Sequence, residues 1–228
     1  MSASLVGSEM CIRDRYKITD AVKSVTNPET RTYGSENHKY KVALFDFGYK
    51  RNIRNELVNR GCEVIVVPAD TTAEQIKEIA PDGIMFSNGP GDPSENTEVI
   101  KNIREIAQLG IPIFGICLGH QLMALAHGAT TQKLKYGHRG ANQPVIDKAL
   151  GKTFVTSQNH GYAVVGESMD PEIGEVSHIN ANDGTCEGMR YKNINAFTVQ
   201  FHPEAHGGPQ DTAYLFDEFI EMIKKEMH

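Results

Sequence analysis

Short apolar runs alternate with amphipathic segments in the first half of the chain. Four apolar runs have the length of buried strands, at residues 41–46, 63–67, 83–87 and 113–116. Three segments with apolar residues three or four positions apart predict helices, at residues 51–60, 72–79 and 95–109. Strands and helices that alternate at this spacing form right-handed βαβ units. This half therefore predicts an open, mostly parallel α/β sheet with helices on both faces.

The pattern changes after Gly128, where apolar runs become shorter and glycine and asparagine turns separate them. These runs predict short strands, which we expect to be antiparallel, near Phe154, Val164, Val176, Met189 and Phe197. A last amphipathic segment predicts a helix over residues 211–225. We expect the second half to add these strands and one helix to the parallel sheet.

Composition excludes several classes of function. A net charge of −6 without a Lys/Arg cluster argues against a nucleic-acid partner. The longest apolar stretch, residues 111–126, contains Pro112 and His120 and is too short to cross a bilayer. The four cysteines form no C-x-x-C pair, and the nine histidines show no zinc-ligand spacing. We expect a cytoplasmic protein with no membrane partner and no metal.

One cysteine lies where a strand, a tight turn and a helix are predicted to meet. Cys117 stands between Gly115 and Gly119, after the apolar run 113–116 and before a helical pattern. This is the spacing of a nucleophile elbow, with cysteine in place of serine. The N–H groups and the positive dipole end of the helix favour a thiolate and could hold an oxyanion. A cysteine in an apolar strand is more often an inert core residue, so a nucleophile needs partners elsewhere.

A base for this cysteine is sought among the histidines. His202 follows a predicted strand, Pro203 fixes the turn, and Glu204 could orient the ring of His202. His120, His138 and His160 compete for this role. His120 is only three residues from Cys117 on the next helix and cannot readily reach back to the sulfur. His202 is the preferred base.

Two loops offer polar groups to a ligand. Gly89 and Gly91, in the run 87–93, could form a nest of backbone N–H groups, or the run could be an ordinary loop capped by Asp92 or Ser94. No Gly-Lys-Ser/Thr follows, which argues against a nucleotide-phosphate loop. The run 158–162 (Gln-Asn-His-Gly-Tyr) supplies amide and carbonyl groups that suit a polar, zwitterionic ligand.

These motifs carry a resemblance to a known family. The elbow Gly115-x-Cys117-x-Gly119, with His202 and Glu204, resembles the class I glutamine amidotransferases. Three further segments are similar to the glutaminase domain of carbamoyl phosphate synthetase small subunits, at residues 45–52, 135–144 and 158–163. The resemblance runs from about residue 40 to the end of the chain. It implies the flavodoxin-like fold of that family.

The resemblance also implies roles for individual residues. Cys117 matches the nucleophile of the family, His202 its base and Glu204 its orienting acid. The positions that match glutamine contacts are Gly89, Gly91, Leu118, Gln121, Asn159, Gly161 and Tyr162. Position 162 is commonly phenylalanine in the family. The implied partner is a large synthetase subunit that receives ammonia and holds ATP and Mg, so we expect no cofactor in this chain.

The resemblance divides the chain into three parts. Residues 1–15 look like the translated end of a sequencing adapter, and residues 16–39 are expected to be a linker from a missing N-terminal domain. That domain supplies one serine contact to glutamine in the family. Residues 40–228 are the expected amidotransferase domain.

Three alternatives stay open. The chain could be the glutaminase of a chorismate-using synthase, which usually lacks the Gly137-His-Arg-Gly140 run, or a non-catalytic assembly module on the same fold. A cysteine peptidase is disfavoured because Gln121 and Asn159 suit a small polar ligand.

Overall fold

Ten strands form one mixed sheet in this computed structural model, which describes residues 19–34, 36–205 and 211–227. The segment 1–15, expected to derive from an adapter, lies outside the described residues. The strands are β1 Arg31–Tyr33, β2 Tyr40–Asp46, β3 Cys62–Pro68, β4 Gly83–Phe86, β5 Ile113–Ile116, β6 Thr130–Asp147, β7 Lys152–Val165, β8 Gly174–Asn180, β9 Cys186–Tyr191 and β10 Ala196–Val199. The helices are α1 Ala21–Val25, α2 Arg51–Asn59, α3 Ala73–Ile79, α4 Thr97–Ile106, α5 Leu118–Ala126 and α6 Tyr214–Glu226. Short 3₁₀ turns at Pro93–Glu95 and Ala107–Leu109 flank α4, and another follows β7 at Gly166–Ser168.

Five neighbouring strands make the parallel half of the sheet, in the order β3-β2-β4-β5-β10. Successive residues of β2 pack into different cores, because side chains alternate across a strand. Val42 and Leu44 join α2 and α6 on one face, while Ala43 and Phe45 join α3, α4 and α5 on the other. The predicted α/β fold, with helices on both faces of the sheet, is confirmed.

The antiparallel half continues from β10 in the order β9-β8-β6-β7. It differs from the predicted short strands, since Phe154 and Val164 lie in one strand of 14 residues, β7. That strand pairs with β6, whose 18 residues the apolar pattern did not predict. Only Val145–Asp147 of β6 pair with β8. Most of β6 is therefore solvated on at least one side and carries few apolar residues.

Residues expected to form a linker contain regular structure. Helix α1 lies there, and β1 pairs antiparallel with β3 and forms one edge of the sheet. The Thr26 hydroxyl accepts the Ala69 N–H at 3.0 Å and Asp46 accepts the Asn27 N–H at 3.0 Å, which tie this segment to β2 and to the turn after β3. Within the described ranges, no helix has the length and apolar character needed to span a membrane.

Candidate active site

Cys117 occupies a sharp turn between β5 and α5. Its backbone has φ 54° and ψ −101°, a left-handed conformation that residues with a side chain rarely adopt. The turn requires Gly119, because a Cβ atom there would lie 2.3 Å from the Phe86 carbonyl oxygen. The Cys117 N–H donates to the Val199 carbonyl at 2.8 Å, which fixes the elbow to the end of β10. The predicted strand, turn and helix are all present.

His202 reaches the elbow because β10 lies beside β5 and runs parallel to it. The carboxyl ends of parallel strands meet at one edge of the sheet, so residues that follow β5 and β10 are neighbours. The His202 N–H donates to the Ser157 carbonyl at 2.9 Å, and this bond holds the turn against β7. The His202 ring forms a side-chain hydrogen bond with Cys117, and its Nδ1 lies 2.8 Å from Glu204 Oε1. The structure thus brings the three residues of the predicted triad together.

The charges of this triad support one another. Burial alone would lower the pKa of His202, but the interactions with Cys117 and Glu204 outweigh it and raise that pKa to about 10. Burial would raise the pKa of the Glu204 carboxyl, yet His202 and the Lys50 ammonium hold it below its usual value. Lys50 Nζ lies 3.5 Å from Glu204 Oε1. An imidazolium therefore lies between the sulfur and a carboxylate, which is the polarity that a thiolate nucleophile needs.

The competing histidines are engaged elsewhere. His120 is fully buried with Nδ1 2.8 Å from Thr198 Oγ1, and burial lowers its pKa to about 3. His160 Nδ1 donates to the Tyr162 carbonyl at 2.7 Å, and burial lowers its pKa to about 4. His138 lies between Glu187 and Asp183. Of the four candidate histidines, all of which lie in the described part of the chain, His202 is the one that forms a hydrogen bond with Cys117.

The glycine loop after β4 lies against the start of α5. A Cβ atom at Gly89 would lie 2.3 Å from the Phe47 carbonyl oxygen and 2.6 Å from Leu118 Cδ2. Leu118 is the first residue of α5, so its N–H has no acceptor within the helix. Gly91 has φ 94°, and a Cβ atom there would lie 2.6 Å from Ala21 Cβ. Gly89 is thus packed against Leu118, the residue that follows the cysteine.

Gln121 and Tyr162 connect α5 to β7. Gln121 Nε2 donates to the Tyr162 carbonyl and to Gln200 Oε1, both at 2.8 Å. The Tyr162 hydroxyl is hydrogen bonded to Asp92 of the glycine loop. Gln121 is buried, and its amide joins α5 to β7 and to Gln200.

Asn159 and Gly161 lie on the other side of β7 from the buried Gln158 and His160, because strand residues alternate in direction. Asn159 is exposed and pairs with Arg139 of β6. In the part of the chain that is described, no hydrogen bond joins the Asn159 side chain to the triad. Its role in glutamine binding remains a prediction.

Two residues beside the triad were not predicted from the sequence. Lys50 contacts Glu204, and the Gln200 side chain accepts from Gln121. Lys50 lies in the run 45–52 and Gln200 in the run 198–204, both of which carry motifs of the sequence. Both residues thus lie in segments that sequence analysis could single out. Their contacts, however, join residues far apart in the sequence and leave no local pattern.

One group of side chains has the geometry of metal ligands. Potential ligand atoms of His138, His160 and Glu187 lie within 4.8 Å of one another. Glu187 already accepts from His138 and from Gln158, and His160 donates to the Tyr162 carbonyl and packs against Gln158 Oε1. Hydrogen bonds therefore account for this cluster without an ion.

Comparison with known proteins agrees with this geometry. The family model for glutamine amidotransferase class-I matches residues 43–222. Carbamoyl phosphate synthase small chains from Bacillus cereus (strain ATCC 10987 / NRS 248) and Staphylococcus epidermidis (strain ATCC 35984) are 53% and 56% identical to this chain. Each alignment covers 90% of this chain, with 56% of the Bacillus protein and 55% of the Staphylococcus protein. The chain spans about half the length of the curated relatives it matches.

A solved structure has a similar fold. The crystal structure of a putative GMP synthase subunit from Thermoplasma acidophilum superimposes with a TM-score of 0.73. The match covers 83% of this chain and 96% of that one, with 22% sequence identity. At this identity the likeness concerns the fold alone.

Proposed function

This chain belongs to the class I glutamine amidotransferase family, and from that premise we propose that it is the glutaminase component of a carbamoyl phosphate synthetase. The observation that carries the proposal is the buried Cys117–His202–Glu204 arrangement at the elbow, with His202 bonded to both partners. The substrate is L-glutamine, and the products of this chain's own chemistry are glutamate and ammonia.

In the first half-reaction the Cys117 thiolate attacks the side-chain amide carbon of glutamine. A carbon–sulfur bond forms, and the carbonyl oxygen becomes an oxyanion that the N–H groups of Leu118 and Gly89 stabilise. Each such donor contributes about 3–4 kcal/mol in comparable sites. His202 then donates its proton to the leaving nitrogen, the carbon–nitrogen bond breaks, and ammonia departs from a γ-glutamyl thioester.

In the second half-reaction water hydrolyses the thioester. His202, now neutral, accepts a proton from the water as its oxygen attacks the same carbon. The carbon–sulfur bond breaks, glutamate leaves, and the thiolate–imidazolium pair is restored. Glu204 keeps Nδ1 of the ring protonated throughout, so that the other nitrogen faces the reaction.

The ammonia is proposed to pass to a large synthetase subunit, which binds ATP and Mg and makes carbamoyl phosphate. Support comes from the relatives, which are named small chains of carbamoyl phosphate synthase. The glutamine contacts proposed for Gly89, Gly91, Leu118, Gln121, Asn159, Gly161 and Tyr162 belong to the same proposal.

The test is glutamate release from glutamine by the purified chain, alone and with a large synthetase subunit. We expect Cys117→Ser to abolish turnover and to prevent labelling by a glutamine-mimicking electrophile. Cys186→Ser removes another buried thiol, one that contacts Gly188 and Met189 and not the triad, and should leave labelling intact. Equal glutamine hydrolysis by wild type and Cys117→Ser would disprove the mechanism. Co-purification with a chorismate-using enzyme would identify that enzyme as the partner in place of a large synthetase subunit. An unreactive Cys117 would favour a non-catalytic module.

A further inference from the structure

A buried carboxylate on β9 joins three other strands of the sheet. Glu187 of β9 has no solvent exposure, and both of its oxygens accept hydrogen bonds. Oε1 lies 3.1 Å from His138 Nδ1 of β6 and 3.3 Å from Asn180 Nδ2 of β8. Oε2 accepts from Gln158 Nε2 of β7 at 3.0 Å. One side chain therefore fixes β6, β7 and β8 relative to β9.

Burial raises the pKa of the Glu187 carboxyl, and the contacts with His138, Asn180 and Gln158 oppose that shift. His138 Nε2 lies 2.8 Å from Asp183 Oδ2, so its ring lies between two carboxylates. The hydrogen bond with Glu187 has the largest effect on the pKa of His138. Together with the contact to Asp183 it outweighs partial burial and raises that pKa to about 9. An ion pair with satisfied hydrogen bonds can be buried without a large penalty. Because Asp183 is exposed, the network ends at the protein surface.

The same network continues from Gln158 to Tyr162 and α5. His160 Nδ1 donates to the Tyr162 carbonyl at 2.7 Å, so Nε2 of this neutral ring carries no proton and meets Gln158 Oε1, 3.0 Å away, as a packing contact rather than a hydrogen bond. That carbonyl also accepts from Gln121 of α5. Hydrogen bonds together with the Gln158–His160 contact thus connect Glu187 to the backbone at residue 162.

The backbone closes this series into a ring. The Glu187 carbonyl accepts the Gln200 N–H at 2.8 Å, and the Gln200 side chain accepts from Gln121. The run 158–162, predicted to contact glutamine, is therefore held from two sides.

The Gly137-His-Arg-Gly140 run now has a structural explanation. The pairing of β6 with β7 shifts register between Lys133 and His138, and the His138 ring contacts Glu187. Gly137 has φ +68°, and a Cβ atom there would lie 2.4 Å from the His160 carbonyl oxygen. The glycine permits the close approach of the two strands that the His138–Glu187 contact requires.

From these contacts we propose that Glu187 is a positioning residue, which acts through Gln158, His160 and His138 to hold the β7 run 158–162 in the conformation that binds glutamine. This inference rests on the proposed glutaminase function. Glu187 contacts neither the nucleophile nor its base through its side chain. Its loss should therefore weaken substrate binding more than it slows the chemical steps.

The test compares Glu187→Gln with wild type and with Glu175→Gln, the same change at an exposed position on β8. We expect the KM for glutamine to rise about tenfold in Glu187→Gln, as loss of one buried charged hydrogen bond implies. The kcat should stay within about twofold, because the triad contacts are unchanged. Hydrogen–deuterium exchange of a peptide spanning 157–163 should quicken in Glu187→Gln but not in Glu175→Gln.

The two readouts separate the possible failures. If wild type hydrolyses no glutamine, the proposed function fails, while the exchange comparison still tests the positioning role. A folded Glu187→Gln variant with wild-type KM and wild-type exchange would overturn that role, as would a fall in kcat with KM unchanged. If Glu187→Gln does not fold, Asp183→Asn decides, because it removes only the exposed partner of His138. We then expect a two- to threefold rise in KM, roughly, with faster exchange, and no change in either would overturn the proposal.

Discussion

Replacing Cys117 with glycine is expected to give a more stable protein than replacing it with alanine, and both changes should abolish activity. The backbone of Cys117, at φ 54° and ψ −101°, lies near the strained γ-turn geometry that residues with a Cβ atom avoid. Glycine adopts such a conformation without steric penalty. The appropriate reference is Cys117→Ala, because both variants lack the sulfur and differ only in the Cβ atom.

The expected difference follows from two opposing contributions. A residue held in a sparsely populated φ/ψ region costs about 1–3 kcal/mol. Glycine loses more backbone entropy on folding than alanine does, which offsets about 0.5–1 kcal/mol of that gain. We therefore expect Cys117→Gly to be more stable than Cys117→Ala by about 0.5–2 kcal/mol, which corresponds to roughly 1–8 °C in melting temperature for a domain of this size.

Urea denaturation of both variants, followed by circular dichroism, measures this difference as a shift in midpoint at constant slope. Both variants should lack glutaminase activity and electrophile labelling at position 117. If Cys117→Gly proves equal to or less stable than Cys117→Ala, the elbow does not store strain and the argument is refuted.

Three further predictions concern the triad and β6. Glu204→Gln should lower the kcat for glutamine by about 10²–10⁴-fold with intact folding, since the His202 tautomer is no longer held; a wild-type kcat in a stopped assay would contradict this. The pKa of His202 is raised from 6.5 to about 10 on folding, so its stabilising contribution is complete below about pH 6.5 and is lost as pH rises through about 10. Urea titrations between these pH values should show a steeper loss of stability in wild type than in His202→Gln, and parallel curves would contradict it. Gly137→Ala should destabilise by about 1–3 kcal/mol more than Gly151→Ala, because both glycines have positive φ but only Gly137 faces a close carbonyl; equal midpoints would contradict the predicted clash.

The parallel half of the fold could be predicted from the sequence because its signals are local. The apolar run 113–116, the flanking glycines and the helical pattern after Cys117 all lie within a few residues of one another. The strand, the elbow and α5 appear where that pattern predicts them. The position of His202 and Glu204 after a predicted strand makes them the preferred pair, the resemblance to a family agrees, and the structure places both beside the elbow.

The hairpin of β6 and β7 could not be predicted in the same way. Much of β6 is polar, and Gly137 and Gly140 interrupt it. Its pairing with β7 includes two register shifts, so the strand has no regular alternation of apolar and polar residues that would reveal it. The hydrogen bond from Gln121 to the Tyr162 carbonyl could not be predicted either, because the two residues lie on elements that are far apart in the sequence. Contacts between residues far apart in sequence leave no periodic pattern.

The position of β10 has a consequence for the order in which the protein is made. β10 is the last of the ten strands along the chain, yet it lies between β5 and β9 in the middle of the sheet. As the chain leaves the ribosome, Cys117 emerges long before His202, and β5 keeps an open edge until β10 is synthesised. The nascent chain must protect that edge from pairing with other chains. The Cys117 thiol also lacks the His202 base until β10 inserts into the sheet. An unfinished chain therefore does not carry the activated nucleophile.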